Sequence, residues 1–149
     1  MALEQERFIL DMLAAWGDGS DGSRPDIERI MATFADDAVW QLWVPGGPVI
    51  RGRDALRREI KRQMSYVTHN RCTTRNIVSS ERVVMTERDD YCVSNGVAMP
   101  HSMVAVYELD QHGLICAWRE YLDTADLAKK KGVSLEHVGG PNAAVTSTH

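Results

Sequence analysis

The sequence predicts an α+β fold: a curved, mostly antiparallel sheet wrapped around three N-terminal helices. Two patterns carry that expectation. Early in the chain apolar residues recur at helical spacing, and from His69 onward they alternate with polar ones through segments divided by short turns. Helices followed by an antiparallel meander close into a cone, whose floor is the natural place for a small-molecule pocket.

The elements follow in order. Phe8, Ile9, Met12, Leu13 and Trp16 share one face of a first amphipathic helix of roughly four turns. Gly17–Ser23, rich in glycine and small polar residues, ends it as a flexible loop. Pro25 suits the first position of a second helix, with Ile27, Ile30, Met31 and Phe34 on its buried face. Ala35–Ala38, including Asp36 and Asp37, is expected to end that helix. Val39–Val44 then reads as a strand rich in aromatic and β-branched residues, and Pro45–Pro48 must turn. Asp54 is expected to cap a third helix whose apolar side holds Ala55, Leu56, Ile60 and Met64. Strands are expected over His69–Ser79, Val83–Val93, Met99–Leu109 and Gly113–Leu122, joined by turns at Ser79–Glu81, Ser94–Gly96 and Asp110–Gly113. From Thr124 a short helix is expected to decay into Gly139–Asn142 and a mobile end.

Length and composition narrow the function. The 149 residues suit a single domain, 1–149, with a core over about residues 5–130. A formal net charge of −4 argues against nucleic acid as the main partner, because phosphate binding wants a basic face. Arg51, Arg53, Arg57, Arg58, Lys61 and Arg62 cluster along the third helix, where they read as a solvated face. Cys72, Cys92 and Cys116 lie far apart, with no C-x-x-C and no histidine cluster at metal spacing. Reduced thiols in a cytoplasmic protein are expected, with no metal and no cofactor. The start Met1–Arg7 is polar, unlike a signal peptide, and no apolar run reaches membrane-spanning length.

The chemistry concentrates in two strand segments, Thr86–Asp90 and Trp118–Asp123, each carrying carboxylates and an arginine. Alternate residues of a strand share a face, so Arg88 and Asp90 point together, as do Trp118, Glu120 and Leu122. In one curved sheet these side chains meet over the concave surface. Burying them is costly unless they are paired, and such a set in an apolar pocket is a candidate for acid–base work. An outward-facing ion-pair ladder is the plainer alternative for any one of them.

The element order resembles the nuclear transport factor 2-like cone fold, shared by ketosteroid isomerases and small SnoaL-like polyketide cyclases. Thr86-Glu87-Arg88-Asp89-Asp90 and Trp118-Arg119-Glu120-Tyr121-Leu122-Asp123 resemble the strand phrases of limonene-1,2-epoxide hydrolases. So do Phe34-Ala35-Asp36-Asp37 and Gly52-Arg53-Asp54-Ala55, over a span of roughly residues 5 to 130. The resemblance implies an Asp-Arg-Asp set in which one aspartate helps hold the attacking water. The other protonates the epoxide oxygen, and the arginine bridges them. Arg88 and Asp90 match that phrase, and the third member falls on Glu120, one methylene longer. A tyrosine and an asparagine on the family's first strand hold the water; here those positions are Trp40 and Leu42. Trp40 donates one N–H and accepts nothing, and Leu42 does neither. The acid–arginine–acid set is therefore retained, while the water site is eroded.

Catalytic roles are thus expected for Arg88, Asp90 and Glu120, with Trp40, Leu42, Cys92, His101, Met103 and Leu122 lining the substrate cavity. His101 shares a face with Met103 and Ala105, and the favoured reading gives it a backbone hydrogen bond rather than a role as base. Tyr66 reads as packing. The leading function is cofactor-free epoxide opening on a small hydrophobic substrate. The alternatives are a cyclase or isomerase on a polyketide or terpenoid skeleton, and a non-enzymatic binding or dimerisation module. Val104, Val106 and Tyr121 are expected on the outer face of the sheet, where a mixed polar and apolar surface suggests a symmetric homodimer.

Overall fold

The computed structural model describes residues 3–143. Its helices are α1 (Glu4–Ala14), α2 (Ile27–Met31), α3 (Arg53–Met64) and α4 (Thr124–Lys131), with a 3-10 turn at Leu135–His137. Its strands are β1 (Phe34–Gln41), β2 (Val49–Arg51), β3 (Val67–Ser79), β4 (Val83–Ser94), β5 (Val97–Ala98), β6 (His101–Leu109) and β7 (Ile115–Leu122). They form one sheet in the order β2-β1-β7-β6-β4-β3, with β5 added to β4. Every pairing is antiparallel except β1 with β7. The fold class is the expected one.

Helix α1 buries Ile9, Met12 and Leu13 on one face, but it stops before Trp16. The chain swings away at Gly17, whose φ is +134°. A Cβ there would lie 2.4 Å from the carbonyl oxygen of Asn70, so only glycine fits. The following loop is not free, contrary to expectation: Gly19 N–H donates to Asn70 O at 2.9 Å and His69 N–H to Ser23 O at 3.0 Å.

The largest departure from the sequence reading lies at Phe34–Ala38. Helix α2 ends at Met31, and Phe34 already pairs with Ile115 of β7. Asp26, rather than Pro25, opens α2, its carboxylate accepting from Arg29 N–H at 3.2 Å. An irregularity in the β1–β7 register between Phe34 and Val39 leaves Asp36 and Asp37 in solvent while Phe34, Ala35 and Ala38 are buried. Local helix propensity lost here to strand pairing. Helix α3 likewise begins at Arg53, with Gly52 rather than Asp54 at its cap.

The basic cluster on α3 is also not simply a solvated face. Arg53 donates to Met31 O at 2.8 Å and Phe34 O at 2.7 Å, tying α3 to the α2–β1 junction. Arg57 meets Glu28 at 3.2 Å, and Arg62 grips the buried Glu59 at 2.6 Å.

The core lies between the concave sheet face and the helices. Val84, Ala105, Tyr107 and Ile115 of the sheet join Ile9, Met12 and Leu13 of α1, Ile30 and Met31 of α2, and Leu56 and Ile60 of α3 in one buried cluster. Trp40 and Trp118 are register partners on β1 and β7, and their rings stack with centroids 4.8 Å apart. Trp16 packs edge-on against both, each at 6.0 Å. On the outer face, Val104 and Tyr121 are exposed as expected, whereas Val106 is only 6% exposed. Its register partners are Met85 and Arg119, both long side chains.

The C-terminal segment is fastened as far as Ala143, contrary to the expected decay. Lys131 Nζ donates to Val138 O at 2.8 Å and Gly140 O at 2.9 Å, and Ser94 Oγ donates to Asn142 Oδ1 at 2.6 Å. The expected mobile end otherwise concerns residues 144–149, which lie outside the described residues.

Candidate active site

Strand alternation builds the site. On the concave face β4 presents Thr86, Arg88 and Asp90, β6 presents Met103, Ala105 and Tyr107, and β7 presents Trp118, Glu120 and Leu122. Ala105 stands between Thr86 and Glu120 in register, and its single methyl leaves room above β6. Through that room Arg88 Nη2 donates to Glu120 Oε2 at 2.7 Å. The same nitrogen reaches Asp90 Oδ2 at 2.7 Å, and Nε donates to Asp90 Oδ1 at 3.1 Å, making a bidentate pair. Nη1 donates to the Tyr107 hydroxyl, which lies 3.1 Å from Thr86 Oγ1. Met103 Sδ completes the shell around the guanidinium.

The set is almost dry. Arg88 is 2% exposed and Glu120 7% exposed. Burial works against the Arg88 charge, but Tyr107, Glu120 and Asp90 together hold its pKa well above the usual guanidinium value. Burial pushes the Glu120 carboxyl above the usual carboxylate value; the Arg88 charge pulls it back and the Asp90 charge pushes it up again. Burial raises the Tyr107 phenol, against the pull of Arg88. Of the two acids, Glu120 is the one whose proton burial holds more tightly than usual.

These groups open on a cavity of ≈ 180 Å³. Arg88, Asp90 and Glu120 all stand in its wall, as do Trp40, Leu42, Cys92, His101, Met103 and Leu122. Trp40 lies flat on Trp118, and its indole N–H is directed at Glu120 without completing a hydrogen bond. His101 Nδ1 lies 2.8 Å from Met99 O, which places the ring proton on Nδ1. Burial lifts the Cys92 thiol to about 11, so it stays protonated at neutral pH.

Sequence reasoning missed three contributors. Tyr107 was findable, because it continues the Met103–Ala105 alternation along β6. Cys72 is the cross-strand partner of Asp90 and shares the cavity wall; its thiol is raised by burial and then by the Asp90 charge. The third is the closing segment, Lys131, Val138 and Gly139, which walls the cavity beside Trp43 and Tyr66. Tyr66 is more than packing: its hydroxyl donates to Gly139 O at 2.8 Å and accepts from Arg62 Nη1 at 3.1 Å. A Cβ on Gly139 would sit 2.9 Å from the Trp43 ring, so a larger residue there would force that ring to shift.

Solved structures share the architecture. An LEH-like epoxide hydrolase from M. tuberculosis is 25% identical, with a TM-score of 0.70 over 85% of this chain and 88% of its own. A hypothetical protein with a ketosteroid isomerase-like fold from Catenulispora acidiphila, solved with trimethylamine, has a TM-score of 0.71 at 14% identity over 87% and 95% of the two chains. A nuclear transport factor 2-like protein of unknown function from Burkholderia pseudomallei has a TM-score of 0.73 at 15% identity over 86% and 97%. These last two speak to the cone fold alone. The SnoaL-like domain profile matches residues 9–118, most of the cone and much of its acidic floor, and the chain belongs to the SnoaL-like domain family.

Proposed function

We propose that this protein is an acid–base enzyme that opens the epoxide ring of a small hydrophobic substrate using Asp90, Arg88 and Glu120, without a cofactor. The observation that carries the proposal is the buried arginine holding two carboxylates at the wall of an apolar cavity. A buried acid and a largely buried one are costly to keep for packing alone, because hydrophobic residues of similar volume would serve the fold as well or better. The likeness to an LEH-like epoxide hydrolase supports the choice of reaction.

In this scheme Glu120 is the general acid, since burial raises its pKa. Its proton passes to the epoxide oxygen as one C–O bond breaks. Arg88 steadies the carboxylate left behind, and Asp90 accepts the second proton. That proton comes from water when water adds to the opened carbon, giving a diol. It comes from a neighbouring C–H when none adds, giving an unsaturated alcohol with the atoms of the substrate. Proton exchange with solvent returns the pair to its starting state.

A second reading, internal rearrangement or cyclisation, is favoured by one feature. Trp40 on β1, stacked on Trp118, and Leu42 just beyond that strand line the cavity with the acids, and neither offers an acceptor to an attacking water. Misplacing a reactant by about 1 Å costs on the order of a hundredfold.

Turnover of limonene-1,2-epoxide and styrene oxide in isotopically labelled water tests both. Label in a diol supports hydrolysis; an unlabelled isomeric alcohol supports rearrangement. If neither is turned over, opening of neutral epoxides is the wrong chemistry for this site.

A further inference from the structure

Lys131 and Arg71 stand in the cavity wall with charges that the acid–base scheme does not use, and Lys131 is the less exposed of the two. It closes α4, is half-buried, and two of its three ammonium protons go to Val138 O and Gly140 O at 2.8 and 2.9 Å. No carboxylate lies within ion-pair distance of it among the described residues. Its neighbour Lys130 differs: it is exposed and paired with Asp126 at 2.9 Å. Desolvation depresses the Lys131 pKa, as expected of a cation withdrawn from water without a counter-ion.

Position matters as much as charge. Cys92 stands two residues beyond Asp90 on β4, and its thiol feels both Lys131 and Asp90. The ammonium therefore lies further along the same wall than the acids, beside Tyr66, whose ring centroid is 5.8 Å from Nζ. Arg88 is a poor anion receptor, because it is 2% exposed and its charge is already shared by Asp90 and Glu120. Arg71, another cation in the wall, is exposed and stacks on Tyr91 at 5.5 Å.

We propose that Lys131 is the recognition point for a carboxylate on the substrate, so that the cavity selects small apolar acids and directs their uncharged end toward Asp90 and Glu120. This deepens the reading of the cavity as a substrate site and rests on it. One free ammonium proton in an apolar wall suits a monoanion. A phosphate would meet the Val138 and Gly140 carbonyl oxygens and need more donors than are present. At the other end Arg88 is already held by Asp90 and Glu120, so a substrate carboxylate finds its cation only at Lys131, which gives binding a direction.

The test compares 4-phenylbutyrate with 4-phenylbutanamide, near-isosteric probes differing in charge, read by the fluorescence of cavity tryptophans Trp16, Trp40, Trp43 and Trp118. The native protein should bind the acid about tenfold more tightly than the amide, the worth of a charge-assisted hydrogen bond. Lys131→Met should bring the ratio to about one, and Lys131→Arg should keep most of it. Because each ratio is internal to one protein, partial loss of folded material does not alter it. Equal affinities in the native protein, no acid binding at millimolar concentration, or a ratio that survives Lys131→Met would overturn the assignment. The readout involves no turnover. An acid preference in a protein inert to epoxides would sink the catalytic proposal and leave this one standing.

Discussion

Arg88 on β4 and Glu120 on β7 are joined by a 2.7 Å hydrogen bond that crosses the intervening strand β6 above Ala105. The geometry depends on that alanine being small. Ala105→Leu should push a branched side chain into the bridge and cost about 1–3 kcal/mol by overpacking. The specific expectation is a loss of activity larger than the loss of stability accounts for. Thermal melts alongside turnover check it; a fully active Ala105→Leu protein would show that the bridge is dispensable.

Removing the bridging cation should be worse. Arg88→Met leaves Asp90 and Glu120 buried without their counter-charge, a change of about 3–5 kcal/mol for a broken buried pair. Urea unfolding at neutral pH measures this. The penalty should shrink under acid, where both carboxyls take up protons, and an Arg88→Met penalty independent of pH would contradict the pairing.

Glu120 gives stability a pH dependence whose sign is fixed. Its folded pKa lies above the ordinary 4.5, so over the window upward from 4.5 the folded state holds a proton that the unfolded chain has lost. That contribution is fully present below the window and is lost as pH rises through the folded value. Glu120→Gln lacks it, so the variant's Tm minus the native Tm should become more positive from about pH 4 to about pH 8. A flat or falling difference would show that Glu120 is not held protonated by its surroundings.

The outer sheet face leads to an expectation about assembly. Val104 is 37% exposed, Met85 40% and Tyr121 43%, and Met85, Val104 and Tyr121 lie on adjoining strands β4, β6 and β7. We propose that this face joins two copies in a symmetric homodimer. Light scattering at micromolar concentration should give twice the 16.7 kDa of one chain, and Tyr121→Asp should weaken the association. A native monomer would mean that the face is merely apolar.

How far the sequence revealed this arrangement depended on whether the deciding contact was local. Period-two alternation on β4 and β7 was enough to bring Arg88, Asp90 and Glu120 to one face, because register and face follow directly from spacing. Tyr107 obeys the same alternation and was readable in principle. Phe34–Ala38 was misread because its local pattern suits a helix end, and only pairing with β7, some eighty residues later, makes it a strand. Lys131 and Gly139 escaped notice for a related reason. Their place at the cavity depends on the closing segment folding back over Trp43 and Tyr66, and no periodicity announces that return.

The most direct test of the acid–base account is the turnover of a small epoxide by the native protein, Asp90→Asn and Glu120→Gln, with folding of each confirmed by circular dichroism. Both substitutions keep shape while removing a titratable carboxyl, so each should lower kcat by about 10²–10⁴-fold and move KM little. Either variant working at the native rate on a substrate that the native protein turns over would contradict the account, because a carboxyl that never moves a proton is not a catalyst.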